Sequence, residues 1–69
     1  MPLSLARGGE TYIIRKISGK DALSQRLEEM GCVVDHPITV ITVNCGNVIV
    51  LVKGSRLGLD RSMANRIHV

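Results

Sequence analysis

The stretch Ile38-Thr39-Val40-Ile41-Thr42-Val43-Asn44-Cys45-Gly46-Asn47-Val48-Ile49-Val50-Leu51-Val52 carries the firmest local structural signal in the chain. Two runs rich in β-branched residues flank a short polar segment containing glycine. That pattern reads as a β-hairpin, with strands over 38–43 and 48–52 and a tight turn over 44–47. If Ile38, Val40, Val48, Val50 and Val52 face a core, then Ile41, Val43, Ile49 and Leu51 face outward. A half-exposed antiparallel strand normally alternates apolar with polar. The outward apolar set therefore has two readings. Either the helix or the N-terminal segment covers it within one chain, or it is an interface. An apolar strand of this kind at a sheet edge would be an aggregation hazard.

After the hairpin, Lys53-Gly54-Ser55 turns the chain again, and Arg56-Leu57-Gly58-Leu59 reads as a short strand. Asp60 is placed to cap a single helical turn over Arg61-Ser62-Met63-Ala64, and Arg66-Ile67-His68-Val69 reads as a last short strand. Upstream, Glu10 to Ile17 after Gly8-Gly9 is predicted as the first strand. Ser18-Gly19-Lys20-Asp21 starts a helix of about three turns. Its apolar stripe is Leu23, Leu27 and Met30, at i, i+4 and i+7, and Gly31 is placed to end it. The order is β, α, β, β, β, short helix, β. Five short strands with tight turns predict a small, mostly β, strongly bent barrel. One amphipathic helix is inserted after the first strand, and residues 1–69 are read as one domain.

Composition narrows the chemistry. The 69 residues are 45% apolar, almost all aliphatic, with Tyr12 the single aromatic side chain. A barrel that binds single-stranded nucleic acid stacks bases on aromatic rings, and this chain lacks such a platform. The formal charge of +3 is spread along the sequence, which leaves a phosphate-contact mode through Arg7, Arg15, Lys16, Arg56, Arg61 and Arg66 as an alternative. A groove for proline-rich peptides would also need aromatic walls. The longest apolar run, Val48 to Val52, is far short of the ~20 residues of a spanning helix. The first seven residues lack the apolar core of a signal peptide. A cytoplasmic location with reduced cysteines is expected, without direct membrane insertion.

Catalytic motifs are absent: there is no G-x-S-x-G, P-loop or H-E-x-x-H pattern. Glu28 and Glu29 are adjacent on a helix, point in different directions, and read as a solvated face. Cys32, His36, Cys45 and His68, with Asp35 nearby, are the candidate ligands for zinc or ferrous iron. Cys32 follows the helix while Cys45 sits at a hairpin tip. A five- or six-residue strand separates such a tip from the hairpin base by ~15–20 Å. Convergence in one chain is therefore not expected, and no cofactor is implied.

Several segments together resemble the FeoA family. They are Leu3-Ser4-Leu5 with Gly9; Ile14-Arg15-Lys16-Ile17 with Gly19; Leu23-Ser24-Gln25-Arg26-Leu27-Glu28-Glu29-Met30-Gly31; the hairpin; Lys53-Gly54-Ser55-Arg56-Leu57-Gly58-Leu59; and Ala64 to Val69. The chain departs from the pattern at Val34-Asp35, where such chains commonly carry Pro-Gly. The resemblance implies an SH3-like barrel with an inserted helix, and an accessory role beside the ferrous-iron transporter FeoB. Contact with the transporter's cytosolic GTPase region would hold the protein near the membrane. Leu3, Leu5, Met30, Ile41, Ile49 and Leu51 are the candidate contact residues. The outward apolar residues also predict a homo-oligomer.

Overall fold

The computed structural model describes all of residues 1–69. A 3-10 turn over Leu3–Leu5 precedes β1 (Thr11–Ile13), β2 (Lys16–Ile17), α1 (Ala22–Glu29), β3 (Pro37–Asn44), β4 (Asn47–Val52), β5 (Ser55–Leu59), α2 (Arg61–Ala64) and β6 (Ile67–His68). The predicted hairpin is β3–β4. The expected first strand is two strands, which makes six. β1 joins the four-stranded sheet β1-β3-β4-β5, whereas β2 pairs with β6 in a second sheet.

The break falls at Ile14. Its amide donates to the His36 carbonyl at 3.0 Å, and its carbonyl accepts from the Asp35 amide at 2.7 Å. One residue later the Arg15 amide already reaches the His68 carbonyl, at 2.7 Å. The Ile14 side chain is fully buried. A continuous β-branched run carries no punctuation to mark this corner. The two sheets meet there, and no continuous hydrogen-bond ladder closes them into a cylinder.

The core is one cluster of 13 residues, including Leu3, Ile14, Leu27, Cys32, Ile38, Val40, Val48, Val50, Val52, Leu59 and Ile67. The inward set read from the hairpin is correct. Val43 is a correction: it is half-buried and packs on the core. The cause is a β-bulge. Val40 pairs with Val50 and Thr42 with Ile49, leaving Ile41 as the extra residue. The bulge shifts the alternation by one, so Val43 turns inward. Gly8 lies against it, since a Cβ there would stand 3.1 Å from the Ile41 carbonyl oxygen.

α1 has eight residues, a little over two turns, and is shorter than predicted. Asp21 caps it. Its carboxylate accepts from the Ser24 amide at 3.2 Å, and the Ser24 hydroxyl accepts from the Asp21 amide at 3.1 Å. The buried face is Ser24 and Leu27, with Leu23 and Met30 half-buried beside them. Gly31, at φ 102°, ends the helix. The Cys32 amide bonds to the Leu27 carbonyl and the Gly31 amide to the Glu28 carbonyl, the paired bonds of a Schellman motif.

Three non-glycine residues occupy the left-handed region: Asp35, Cys45 and Lys53, at φ 71°, 53° and 49°. Cys45-Gly46 and Lys53-Gly54 each have both central residues at positive φ, the type I′ turn that matches strand twist. Asp35 stands third in the turn Val33–His36, closed by the His36 amide on the Val33 carbonyl at 3.1 Å. That is the type II geometry for which Pro-Gly is suited. The departure at Val34-Asp35 thus keeps the turn and strains it. Val34→Pro with Asp35→Gly is expected to stabilise the protein by about 1 kcal/mol, read from urea denaturation. The Asp35 amide bond to Ile14 survives both changes.

Candidate functional site

The four-stranded sheet has a core face and an open outer face. On the outer face two rows run across the strands. Thr11, Thr39, Leu51 and Arg56 form one, and Thr42, Ile49 and Gly58 the next. The Thr11 and Thr39 hydroxyls hydrogen-bond at 3.0 Å. Leu51 and Ile49 stand in the middle, 42% and 40% exposed, with bulged Ile41 beside them at 37%. Neither the helix nor the N-terminal segment buries them. Gly58 contributes no side chain, and a Cβ built on it would meet nothing within 4 Å. The most apolar strand, β4, lies inside the sheet, so its backbone is protected while its outer side chains are not.

The other candidate contact residues lie elsewhere. Leu3 is a correction, because it is wholly buried and belongs to the core. In a 3-10 turn successive side chains are ~120° apart, so residues two apart leave on different sides. Leu3 therefore points in and Leu5, 70% exposed, points out. Leu5 sits on that turn and half-buried Met30 at the end of α1, and neither shares a register row with Ile49 and Leu51. Ile13, 39% exposed on β1, is a surface residue that the sequence reading missed. The alternation Thr11-Tyr12-Ile13 was the signal for it.

A cleft of about 390 Å³ lies between α1 and the segments on either side of it. Ile17, Val33 and Val34 give it apolar walls, Lys20, Gln25 and Glu28 a polar rim, and Cys32 lines it too. Burial pushes the Cys32 thiol up from its ordinary value, so it stays protonated and is a poor nucleophile or ligand. No histidine lines this cleft. No buried side-chain polar atom in the chain lacks a partner.

The candidate metal ligands are not brought together: no three histidine, cysteine or carboxylate side chains form a group that could hold an ion. Cys32 is in the core, Cys45 is exposed at the β3–β4 turn, and His36 is exposed. His68 is half-buried, with Nε2 at 2.7 Å from the Ser18 hydroxyl. Arg61 donates from Nε and Nη2 to the Cys45 carbonyl at 3.1 and 2.7 Å, tying α2 to the hairpin tip. Ser4 bonds to Asn65, linking the 3-10 turn to the end of α2. No helix is long and apolar enough to cross a membrane.

Two linked sheets and a capped helix, with one sheet face left open, define a small, mostly β, SH3-like fold. The FeoA domain model matches residues 1–69, and the chain belongs to the FeoA family. It is 37% identical over 68 residues to a Methanocaldococcus jannaschii protein named "Putative Fe(2+) transport protein A", covering 99% of this chain and 83% of that one. A crystal structure of FeoA, described as an iron uptake regulatory protein, superposes with a TM-score of 0.89 at 28% identity, covering 97% of this chain and 91% of its own. The zinc complex of Stenotrophomonas maltophilia FeoA superposes with a TM-score of 0.73 at 26% identity, covering 100% and 88%. That protein is described as a prokaryotic SH3-domain protein with a candidate role as a ferrous iron transport activating factor.

The Arg66 guanidinium, 2.8 Å from the Asp21 carboxylate, and then the Ser24 amide hold the Asp21 carboxyl below its ordinary value of 3.8. A carboxyl lowered in the folded state stabilises it above the unfolded value, and that contribution fades as pH falls through the folded value. Asp21→Ala should therefore lower the melting temperature at pH 7, with the deficit shrinking below pH 3.8. Calorimetric titration with Zn(II) should show no stoichiometric sub-micromolar site. Such a site, lost in Cys32→Ser or His36→Ala, is the contrary result.

Proposed function

We propose that the protein assists a membrane ferrous-iron transporter of the FeoB type by binding its cytosolic GTPase region, acting by contact and not by catalysis. The single observation that carries this reading is the outer face of β4. Ile49 and Leu51 are half-exposed on the outer sheet face, in a chain whose family is tied to iron uptake. Monomeric proteins seldom leave a contiguous apolar patch without a use for it. Interfaces concentrate their energy in a few such central side chains. The cytoplasmic location is part of the same proposal.

The mechanism is a shift of populations. A partner that binds one conformation of the GTPase region or gate better than another moves the equilibrium by its difference in affinity. The adaptor needs no chemistry of its own for this. Its rigid sheet presents a fixed surface, and the iron is cargo that it need not touch.

The test is capture of the transporter's cytosolic region by the wild-type chain and by Ile49→Lys/Leu51→Lys, with and without guanine nucleotide. Both positions are already part-exposed, so the variant is expected to fold, checked by amide spectra. Loss of two central contacts should weaken binding by at least ~30-fold, about 2 kcal/mol. Equal binding by both proteins would move the contact off this face, and no binding at low salt would overturn the reading.

A further inference from the structure

We propose that β5 is a self-pairing edge, through which two copies of the chain join antiparallel into one eight-stranded sheet. The strand order puts β5 at one end of the four-stranded sheet. Val52 and Ser55 close the two-residue turn and form a hydrogen-bonded pair. Bonded and non-bonded pairs alternate from there. Leu57 and Leu59 therefore bond to Val50 and Val48. The amide and carbonyl of Arg56 and of Gly58 point away from β4, and no loop, turn or side chain takes them up.

Sheet edges are usually guarded by charged side chains, proline, a bulge, extreme shortness or a covering loop. β5 has five residues without proline, its register with β4 runs unbroken, and Arg56 and Gly58 are exposed. Arg56 is its only charge. The opposite edge, β1, is three residues long and ends at the Ile14 corner.

The identity of the occupant follows from register. Pairing two β5 strands about Leu57 overlaps all five residues. It sets Arg56 opposite Gly58 of the second copy, and Gly58 opposite that copy's Arg56. These are the residues with free backbone groups, so two bonded pairs form, each exchanging two N–H···O bonds. Each arginine stem lies over a glycine, where space is open, and no like charges face each other. The half-buried Leu57 side chains meet at the axis as a close, non-bonded pair. A shift that sets Arg56 against its own copy puts like charges opposite. The reverse shift sets Gly58 on Gly58 and takes Ser55 and Arg56 out of the overlap. In the centred register the outer rows merge, so Leu51, Arg56, Gly58 of the second copy and its Ile49 lie in one line. The arginine stems then cover apolar surface from both sheets. The contact is small, which makes the association weak and reversible.

This proposal does not depend on the transporter reading, since the isolated chain tests it. Sedimentation equilibrium up to about 1 mM, the scale of weak contacts, should show a monomer–dimer equilibrium. Over the same range the Arg56 and Gly58 amides should shift and slow in hydrogen exchange, while Leu57 and Leu59 change little. Gly58→Pro, tolerated where the N–H faces solvent, should abolish the dimer. Register is tested in a Cys45→Ser background by mixing Arg56→Cys chains with Gly58→Cys chains. A bonded antiparallel pair has Cα atoms ≈ 5.5 Å apart, within disulfide range. The mixture should cross-link at least ten-fold faster than Arg56→Cys alone, which would support the proposal even if Gly58→Pro misfolds. A monomer at every concentration, shifts on Ile41, Ile49 and Leu51 with unchanged β5 amides, or an open-ended ladder of larger species would each overturn it.

Discussion

The fold turns on the backbone of Ile14. Its amide and carbonyl belong to the segment that leads into β3, and the next amide belongs to β6. One residue thus stitches the four-stranded sheet to the two-stranded one, with its side chain at the centre of the core. Without that change of partners β1 and β2 would be one strand and β6 would lose the strand it pairs with; β4 and β5 are covered on the core side by α2, and β4 also by the 3-10 turn. α1 then closes the space between the sheets, and Leu3 and Ala64 fill in from the chain's two ends.

A core without phenylalanine or tryptophan must gain its stability from many small, well-fitted aliphatic contacts. This explains why turn and cap chemistry counts for so much here. A domain of this size buries only about 60% of the surface its unfolded chain exposes. Local terms of a kcal/mol are then a large share of the total. The Asp21–Ser24 capping box, the Schellman end at Gly31 and the two glycine-containing hairpin turns fix the geometry cheaply. Within those turns Cys45 and Lys53 hold a left-handed conformation that glycine or asparagine would adopt with less strain, and Asp35 holds one that glycine would adopt more easily still.

The hairpin, a helix beginning within Ser18–Asp21, its end at Gly31 and the α2 cap at Asp60 were all legible in the sequence, because each depends on residues within a few positions of one another; which of the four residues is the cap was not. What was not legible depends on distant partners. Nothing local in Tyr12-Ile13-Ile14-Arg15 marks the corner, since it exists only because His36 and His68 stand where they do. The bulge at Ile41 is likewise set by the register with β4 and by Gly8 packed beneath it, which is why Val43 was placed on the wrong face. Ile49 and Leu51 were readable as outward because β4 is regular. Leu3 was not, because a Leu-Ser-Leu tripeptide has no period from which to tell a strand from a 3-10 turn. The edge character of Arg56 and Gly58 required the strand order.

The two ends of the chain lie side by side. The Met1 amine donates to the Val69 carbonyl at 3.1 Å, the Val69 amide donates to the Met1 carbonyl at 2.8 Å, and Pro2 bridges to His68. Tension applied between these ends would load those bonds one after another, as a zipper is opened, and not all together as when a ladder is sheared. The first elements to part would be the terminal pairing and then β2 from β6, while the four-stranded sheet remained unloaded. Mechanically the molecule is soft at its seam and stiff across its face, so a pull transmitted through its termini would open the smaller sheet and leave the surface formed by Ile41, Ile49 and Leu51 undistorted.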